Sequence, residues 1–227
     1  MYFALQKVIL AIKDLCYNRA MISLIAFLGN YGNEYAKTRH NVAWLFADSL
    51  PFFSKLNWQQ KFRGQYASVD YSTFLNWISP DKKISAPKNC PEKLYFLKPE
   101  TYMNLSGESI GELARFFKIK PEEILVVHDE VELPLGTYSL KWSGGLAGHN
   151  GLRSTKTVLG TADFWRLRFG IDKPSNGDVA NHVLGAFTSD QMITLSIVFT
   201  VASELLNKVL TASDAQHLLP EWAKKKI

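Results

Sequence analysis

The stretch Ile22-Ser23-Leu24-Ile25-Ala26-Phe27-Leu28, running through Gly29-Asn30-Tyr31-Gly32-Asn33-Glu34-Tyr35 to Thr38-Arg39-His40-Asn41, decides how the chain reads. The apolar run predicts a buried first strand. The glycine- and asparagine-bearing segment after it predicts a turn-like loop, and Val42 to Leu50 predicts a helix. His40 therefore falls where a loop hands over to a helix, a rigid place to mount a reactive group beside a cleft. An imidazole, with an ordinary pKa of about 6.5, is well suited to take a proton from water near neutral pH.

Outward from this unit, strands and helices alternate. Trp58 to Tyr71 is β-rich with Gly64 as a break, and the polar, proline-containing segment through Pro80, Pro87 and Pro91 reads as an exposed loop. Lys93 to Lys98 predicts a strand. Leu105 to Lys118 predicts a helix with Leu105, Ile110, Leu113, Phe116 and Phe117 inward. Ile124 to Val127 predicts a buried strand ending at His128-Asp129. Thr137 to Trp142 and Phe164 to Ile171 predict strands, and Leu152 to Leu159 and Ser189 to Leu210 predict helices. The expected fold is a single-domain three-layer α/β/α sandwich with a twisted mixed sheet, helices on both faces and a site at the strand ends. Residues 1–20, with Leu5, Val8, Ile9, Ile12 and Leu15 at helical spacing, read as an N-terminal extension, helical or dispensable, ahead of one α/β domain over residues 21–227.

At 227 residues and 47% hydrophobic content, one well-filled core is expected. The net charge of +5 favours an anionic partner such as nucleic acid and equally fits a mildly basic protein. Cys16 and Cys90 have no metal-type spacing, so a reducing cytoplasm is expected. No apolar run is expected to reach the roughly 20 residues of a membrane span.

Several groups could serve chemistry. Asp129, at a strand end, either caps a turn or accepts a hydrogen bond from an imidazole and stabilises its charged form. Asn30, Asn104 and Asn150 lie beside loops, where an amide either builds a turn or steadies a carbonyl oxygen as it gains charge. No serine or cysteine has a nucleophile's context, so water activated by the histidine is the expected nucleophile. The loop Ser143 to Gly151 could cradle a phosphate, although it lacks the P-loop lysine and hydroxyl. Lys141, Arg153, Arg166 and Arg168 flank it, as scattered charges or as a phosphate patch. His40, His128, Asp129 and His149 show no recurring metal-ligand spacing.

Leu28-Gly29-Asn30 with Gly32, Tyr35 and Thr38-Arg39-His40-Asn41 resembles the N-terminal signature of the bacterial peptidyl-tRNA hydrolases. Lys98-Pro99-x-Thr101-Tyr102-Met103-Asn104-Leu105-Ser106-Gly107, His128-Asp129-Glu130-Val131-Glu132-Leu133-Pro134 and Gly148-His149-Asn150-Gly151-Leu152-Arg153 are similar to further motifs of that family. So are Arg166-Leu167-Arg168-Phe169-Gly170-Ile171 and Val183-Leu184-Gly185-x-Phe187. The resemblance implies hydrolysis of the ester between a peptide and the 3′ ribose of tRNA, which recycles peptidyl-tRNA released from ribosomes. It implies His40 as the base, Asp129 as its partner and Asn104 as oxyanion donor. Asn30, Asn150 and Met103 would hold the peptide and the tRNA 3′ end, supported by Tyr35 and His149, while Lys141 and Arg168 would clamp the tRNA 5′-phosphate. It further implies a monomer without metal or cofactor, while the cysteine usage leads to the expectation of a cytoplasmic protein and the short apolar runs to that of no membrane attachment. Tyr31 stands where the family usually has proline, and Leu146 where a histidine is common. The alternatives are a non-catalytic RNA-binding protein on the same fold and a metal-dependent hydrolase built on the same histidines.

Overall fold

The computed structural model describes residues 20–81, 84–175 and 177–227. The helix expected within residues 1–20 and the residue Cys16 therefore lie outside the description, apart from Ala20; Cys90 is free and half-buried.

Among the described residues, eight strands form one sheet: β1 (Leu24–Phe27), β2 (Gln59–Lys61), β3 (Gly64–Asp70), β4 (Lys93–Pro99), β5 (Ile124–Glu130), β6 (Thr137–Trp142), β7 (Trp165–Gly170) and β8 (Lys225–Lys226). Their order is β2-β3-β4-β1-β5-β7-β6-β8. The central strands β4, β1, β5 and β7 are parallel, and antiparallel strands extend both sides. The composition explains the placement. β1 and β5 are buried along their whole length, as central parallel strands must be. β2 is Gln59-Gln60-Lys61, exposed throughout, and forms an edge blunted by polar side chains.

Helices α1 (Val42–Ser49), α2 (Tyr71–Ile78) and α6 (Ser189–Thr211) pack on one face, and α3 (Ser106–Phe117) and α4 (Asn150–Leu159) on the other; α5 (Val179–Leu184) and the short α7 (Leu219–Trp222) join the first face. The sandwich and its mixed sheet match the expectation. The first core is aromatic: Phe46 lies 4.8 Å from Phe169 and 5.5 Å from Phe199, ring to ring. The second core is built on Ile110 and Leu113 of α3, and α3 approaches α4 closely through Gly107, at Ser154, and Gly111, at Val158.

Some boundaries differ from the sequence reading. β5 continues through His128-Asp129-Glu130, so Asp129 lies within the strand rather than after it. Tyr71, read as the end of the β-rich segment, and residues 72–78, read with the loop, form the helix α2 (Tyr71–Ile78). Leu105 and Phe116 are 39% and 60% exposed rather than inward; Ile110 and Leu113 are the bulky residues that α3 turns to the sheet, and its Gly107 and Gly111 face α4. α6 has 23 residues and is apolar enough to cross a bilayer by length and composition, contrary to the expectation that no apolar run reaches that length. Its Leu195, Val198, Phe199, Ala202, Leu205 and Leu206 are buried in the core.

Candidate active site

The parallel strands bring the segments after β1 and β4, and the end of β5, to one edge of the sheet, where α/β folds place their clefts. His40 lies there in a 3₁₀ turn, Arg39–Asn41, which leads into α1. Thr38 enters this turn with its hydroxyl donating to the carbonyl of Tyr35 at 2.8 Å. Arg39 ties the turn to the segment between α5 and α6: its amide donates to Gly185 O at 3.0 Å, and its guanidinium reaches Ala186 O and Gln191 Oε1, each at 3.1 Å. Asn41, with no exposed surface, bonds the backbone of Asn30 from both sides. The histidine is thus held by a residue on each side of it.

His40 Nδ1 lies 2.8 Å from Asp129 Oδ1, and His149 Nε2 lies 2.9 Å from the same oxygen. The tautomers follow from the partners. His149 is the N-cap of α4, and its Nδ1 accepts from the amides of Gly151 and Leu152 at 3.1 and 3.3 Å. A nitrogen that accepts carries no proton, so Nε2 is the one that donates to Asp129. His40 likewise donates through Nδ1 to the carboxylate, which leaves the Nε2 lone pair for a proton from outside. Burial by itself would raise the pKa of Asp129, but the two imidazoles and their hydrogen bonds hold it well below the usual carboxylate range. Burial by itself would lower that of His40; the facing Asp129 and the bond to it outweigh this and set it above the ordinary imidazole value.

His128 points to the other face of β5. Its Nδ1 donates to its neighbour's carbonyl, Asp129 O, at 2.6 Å. Burial, followed by the nearby ring of His149, keeps its pKa well below the ordinary value. His128 is thus a neutral, buried residue and does not face His40.

Asn30 Oδ1 accepts from the amide of Met103 at 2.8 Å, which joins the loop after β1 to the 3₁₀ turn Met103–Leu105 after β4. Met103 itself is buried, with its sulfur against Gly151. Asn104 and Asn150 are exposed and line one groove together with Leu105, Glu108 and Arg153. Asn150 also lines the adjoining pocket with His40, Asp129, His149, Val179 and Val183. The two hollows share Asn150, so the amides and the histidine face connected space. Tyr35 is half-buried and supplies the carbonyl that receives Thr38.

Lys141, on β6, and Arg168, on β7, occupy the sheet face opposite α6. Arg168 donates to Ser139 Oγ at 2.9 Å and to Glu130 at 3.3 Å, whereas Lys141 makes no ion pair among the described residues. Burial, then the positive field of Arg168 and Arg166, lowers the pKa of Lys141.

The donor atoms of His40, Asp129 and His149 lie within 4.8 Å of one another, close enough to surround a metal ion. The protonation pattern opposes this use. His149 Nε2 could face a metal only by losing its proton while Nδ1 still serves the α4 cap, which would demand an imidazolate. Two residues that brace the site had no assigned role from sequence, Asn41 and Arg39, and Arg166, read there as one of the charges flanking the glycine-rich loop, is buried. Each stood within or beside a motif, but nothing in the spacing marked Asn41 and Arg166 as interior or Arg39 as a tie to Ala186.

Comparison with known proteins places these features in context. The sequence profile of the family described as "Peptidyl-tRNA hydrolase" matches residues 24–227. The peptidyl-tRNA hydrolase of Treponema pallidum is 43% identical over 210 residues, covering 91% of this chain and 96% of that protein. That of Desulfitobacterium hafniense is 42% identical over 205 residues, covering 90% and 94%. The crystal structure of peptidyl-tRNA hydrolase from Acinetobacter baumannii superposes with a TM-score of 0.68 at 33% identity, covering 88% of this chain and 91% of the other. A peptidyl-tRNA hydrolase crystallised with N-propanol gives a TM-score of 0.70 at 32% identity, with the same coverage.

Proposed function

The chain belongs to the peptidyl-tRNA hydrolase family, and from that premise we propose how its residues carry out the hydrolysis. The substrate is peptidyl-tRNA, and the bond cleaved is the ester between the peptide carboxyl and the tRNA 3′ ribose. His40 Nε2 removes a proton from a water molecule, and the resulting hydroxide attacks the ester carbonyl carbon. The amide of Asn104 donates to the oxygen that becomes negative. On collapse of the tetrahedral intermediate, the imidazolium returns its proton to the departing ribose oxygen. Asp129 stays ionised throughout and offsets the positive charge on His40.

The observation that carries this reading is the 2.8 Å bond between His40 Nδ1 and Asp129 Oδ1, which leaves Nε2 as the free basic atom. Asn30 and Asn150 hold the peptide and the 3′ end, with Met103, His149 and Tyr35 supporting them. Lys141 and Arg168 receive the tRNA 5′-phosphate. The reaction needs no metal and no cofactor, since side chains supply the base and the oxyanion donor and hold the water that attacks. The enzyme acts as a cytoplasmic monomer, free of the membrane, with residues 21–227 as its one catalytic domain.

The test is release of an N-blocked amino acid from its tRNA ester by wild-type protein and by His40→Ala, each with and without EDTA. The expected result is activity that survives EDTA and falls by about 100-fold or more in the variant. Binding without cleavage by the wild type would favour a purely RNA-binding role. Loss of activity on chelation would favour a metal at the histidines.

A further inference from the structure

Arg166, on β7, is 1% exposed and has no carboxylate in ion-pairing range among the described residues. Its guanidinium donates to Gly145 O at 2.7 Å, to Gly144 O at 3.0 Å and to Ala162 O at 3.4 Å, and it lies 4.9 Å from the ring centre of Phe164. Lys141 is its direct partner across the β6–β7 ladder, and Arg168 lies two residues further along the same strand face. Three cations therefore share a patch of sheet with Glu130. Burying a guanidinium there is costly unless something offsets it.

The carbonyls it grips decide what the loop shows to solvent. In a trans peptide unit, the C=O of one residue and the N–H of the next point in opposite directions. With the Gly144 and Gly145 carbonyls drawn inward to Arg166, the N–H groups of Gly145 and Leu146 turn outward. Neither N–H has an acceptor among the described residues. The loop is anchored at each end, by Ser143 N to Phe164 O at 3.2 Å and by His149 N to Leu146 O at 2.9 Å. Ser143 and Ala147 take positive φ without being glycine, so the loop is not a relaxed conformation that would persist unaided. Lys141 runs alongside it, its Nζ 3.7 Å from where a Cβ on Gly144 would stand. Outward N–H groups beside a lysine make a concavity suited to a phosphate.

We propose that Arg166 is a positioning residue for substrate phosphate: it turns the N–H groups of Gly145 and Leu146 outward, where they join Lys141 in holding a phosphate of the tRNA. The proposal rests on the reading in which Lys141 and Arg168 receive the 5′-phosphate. It adds the glycine-rich loop as the third wall of that site, and Arg166 as the group that shapes the wall without touching substrate.

The experiment compares an N-acetyl-aminoacyl-tRNA carrying a 5′-phosphate with the same tRNA after removal of that phosphate. Wild-type protein is expected to prefer the phosphorylated form. Arg166→Gln is expected to lose about ten-fold in kcat/KM on that form, mainly through KM, and to change little on the 5′-hydroxyl form. Arg166→Lys keeps the charge but cannot fork to two carbonyls, so it is expected to behave as Arg166→Gln. Full rescue by lysine, or an equal loss on both substrates, would overturn the positioning role. If Arg166→Gln does not fold, titration of wild-type protein with inorganic phosphate decides, with the amide signals of Gly145 and Leu146 expected to shift and unmoved signals overturning the proposal. Lys141→Ala separates the two readings. Discrimination lost there but kept in both Arg166 variants sinks this proposal alone; discrimination kept in Lys141→Ala sinks the clamp itself and this proposal with it.

Discussion

Asn41 holds Asn30 by both its backbone groups: Asn41 Oδ1 accepts from Asn30 N at 2.8 Å, and Asn41 Nδ2 donates to Asn30 O at 3.0 Å. The pairing crosses from the start of α1 to the loop after β1, and Asn30 passes it on to Met103 through its own side chain. One buried amide thus ties the histidine segment to the loop that carries Asn104, the proposed oxyanion donor. Asn41→Asp keeps the shape and removes the donor. It sets a buried carboxylate against the Asn30 carbonyl, so a loss of about 2–3 kcal/mol in urea unfolding is expected, with kcat reduced while the fold persists. A variant of wild-type stability and rate would show that the bridge does not position the site.

The α3–α4 contact sets the separation of Asn104 from Asn150. A Cβ on Gly107 would come within 2.3 Å of the Ser154 carbonyl group, which is backbone and cannot step aside. Gly107→Ala is therefore expected to destabilise by about 1–3 kcal/mol and to weaken substrate binding, seen as a raised KM. Gly145→Ala is the control: its Cβ meets nothing within 4 Å, and the melting temperature is expected to stay within about 2 °C of wild type.

Much of this arrangement was legible in the chain, and what was missed has physical causes. The buried strands β1 and β5 showed as apolar runs, and the site segments showed as motifs at loop positions. α2 did not show, because Tyr71, Thr73, Phe74 and Trp77 are residues equally at home in strands. The β2–β3 turn did not show either: Phe62 and Arg63 both take positive φ there, without the usual glycine or asparagine, and the Phe62 carbonyl is held by Ser109 Oγ at 2.6 Å from α3. That turn is imposed by tertiary contacts. Arg166 looked like one of several loop-flanking charges, and only the sheet register reveals that it faces inward.

His149 serves two purposes that substitutions can separate. Asparagine is also a good N-cap, so His149→Asn is expected to keep the start of α4 while His149→Ala loses about 1 kcal/mol more in thermal or urea melts. Both variants remove a donor from Asp129. The carboxylate then acts more strongly on His40, raising its pKa further, so the acid limb of the pH–rate profile is expected to move to higher pH in both. A limb that moves to lower pH would contradict the shared-oxygen arrangement.

The buried ring of His128 makes stability depend on pH. Its folded pKa lies well below the ordinary imidazole value, so its contribution is complete above that value. As pH falls below about 6.5, the unfolded chain takes a proton that the folded ring refuses, at a cost of up to about 1.4 kcal/mol per pH unit. His40 acts in the opposite sense. Its folded pKa is raised, so its contribution is complete below the ordinary imidazole value and is lost as pH rises through the folded one. His128→Gln is expected to flatten the fall in melting temperature between about pH 7 and pH 5. An unchanged slope would mean that His128 does not cause it.

The central claim is that His40 is the base and that Asp129 sets its basicity. The most direct measurement is the pH dependence of kcat/KM on an N-acetyl-aminoacyl-tRNA for wild-type protein and Asp129→Asn. Wild type is expected to lose activity below an apparent pKa above the ordinary imidazole value, since His40 must be neutral to accept a proton. In Asp129→Asn, burial acts on His40 without the carboxylate to offset it. The maximal rate should fall by about 10²-fold or more, and the acid limb should move to lower pH. A limb at the same pH in both proteins would mean that the group titrating is not a histidine held by Asp129, and the account would fail.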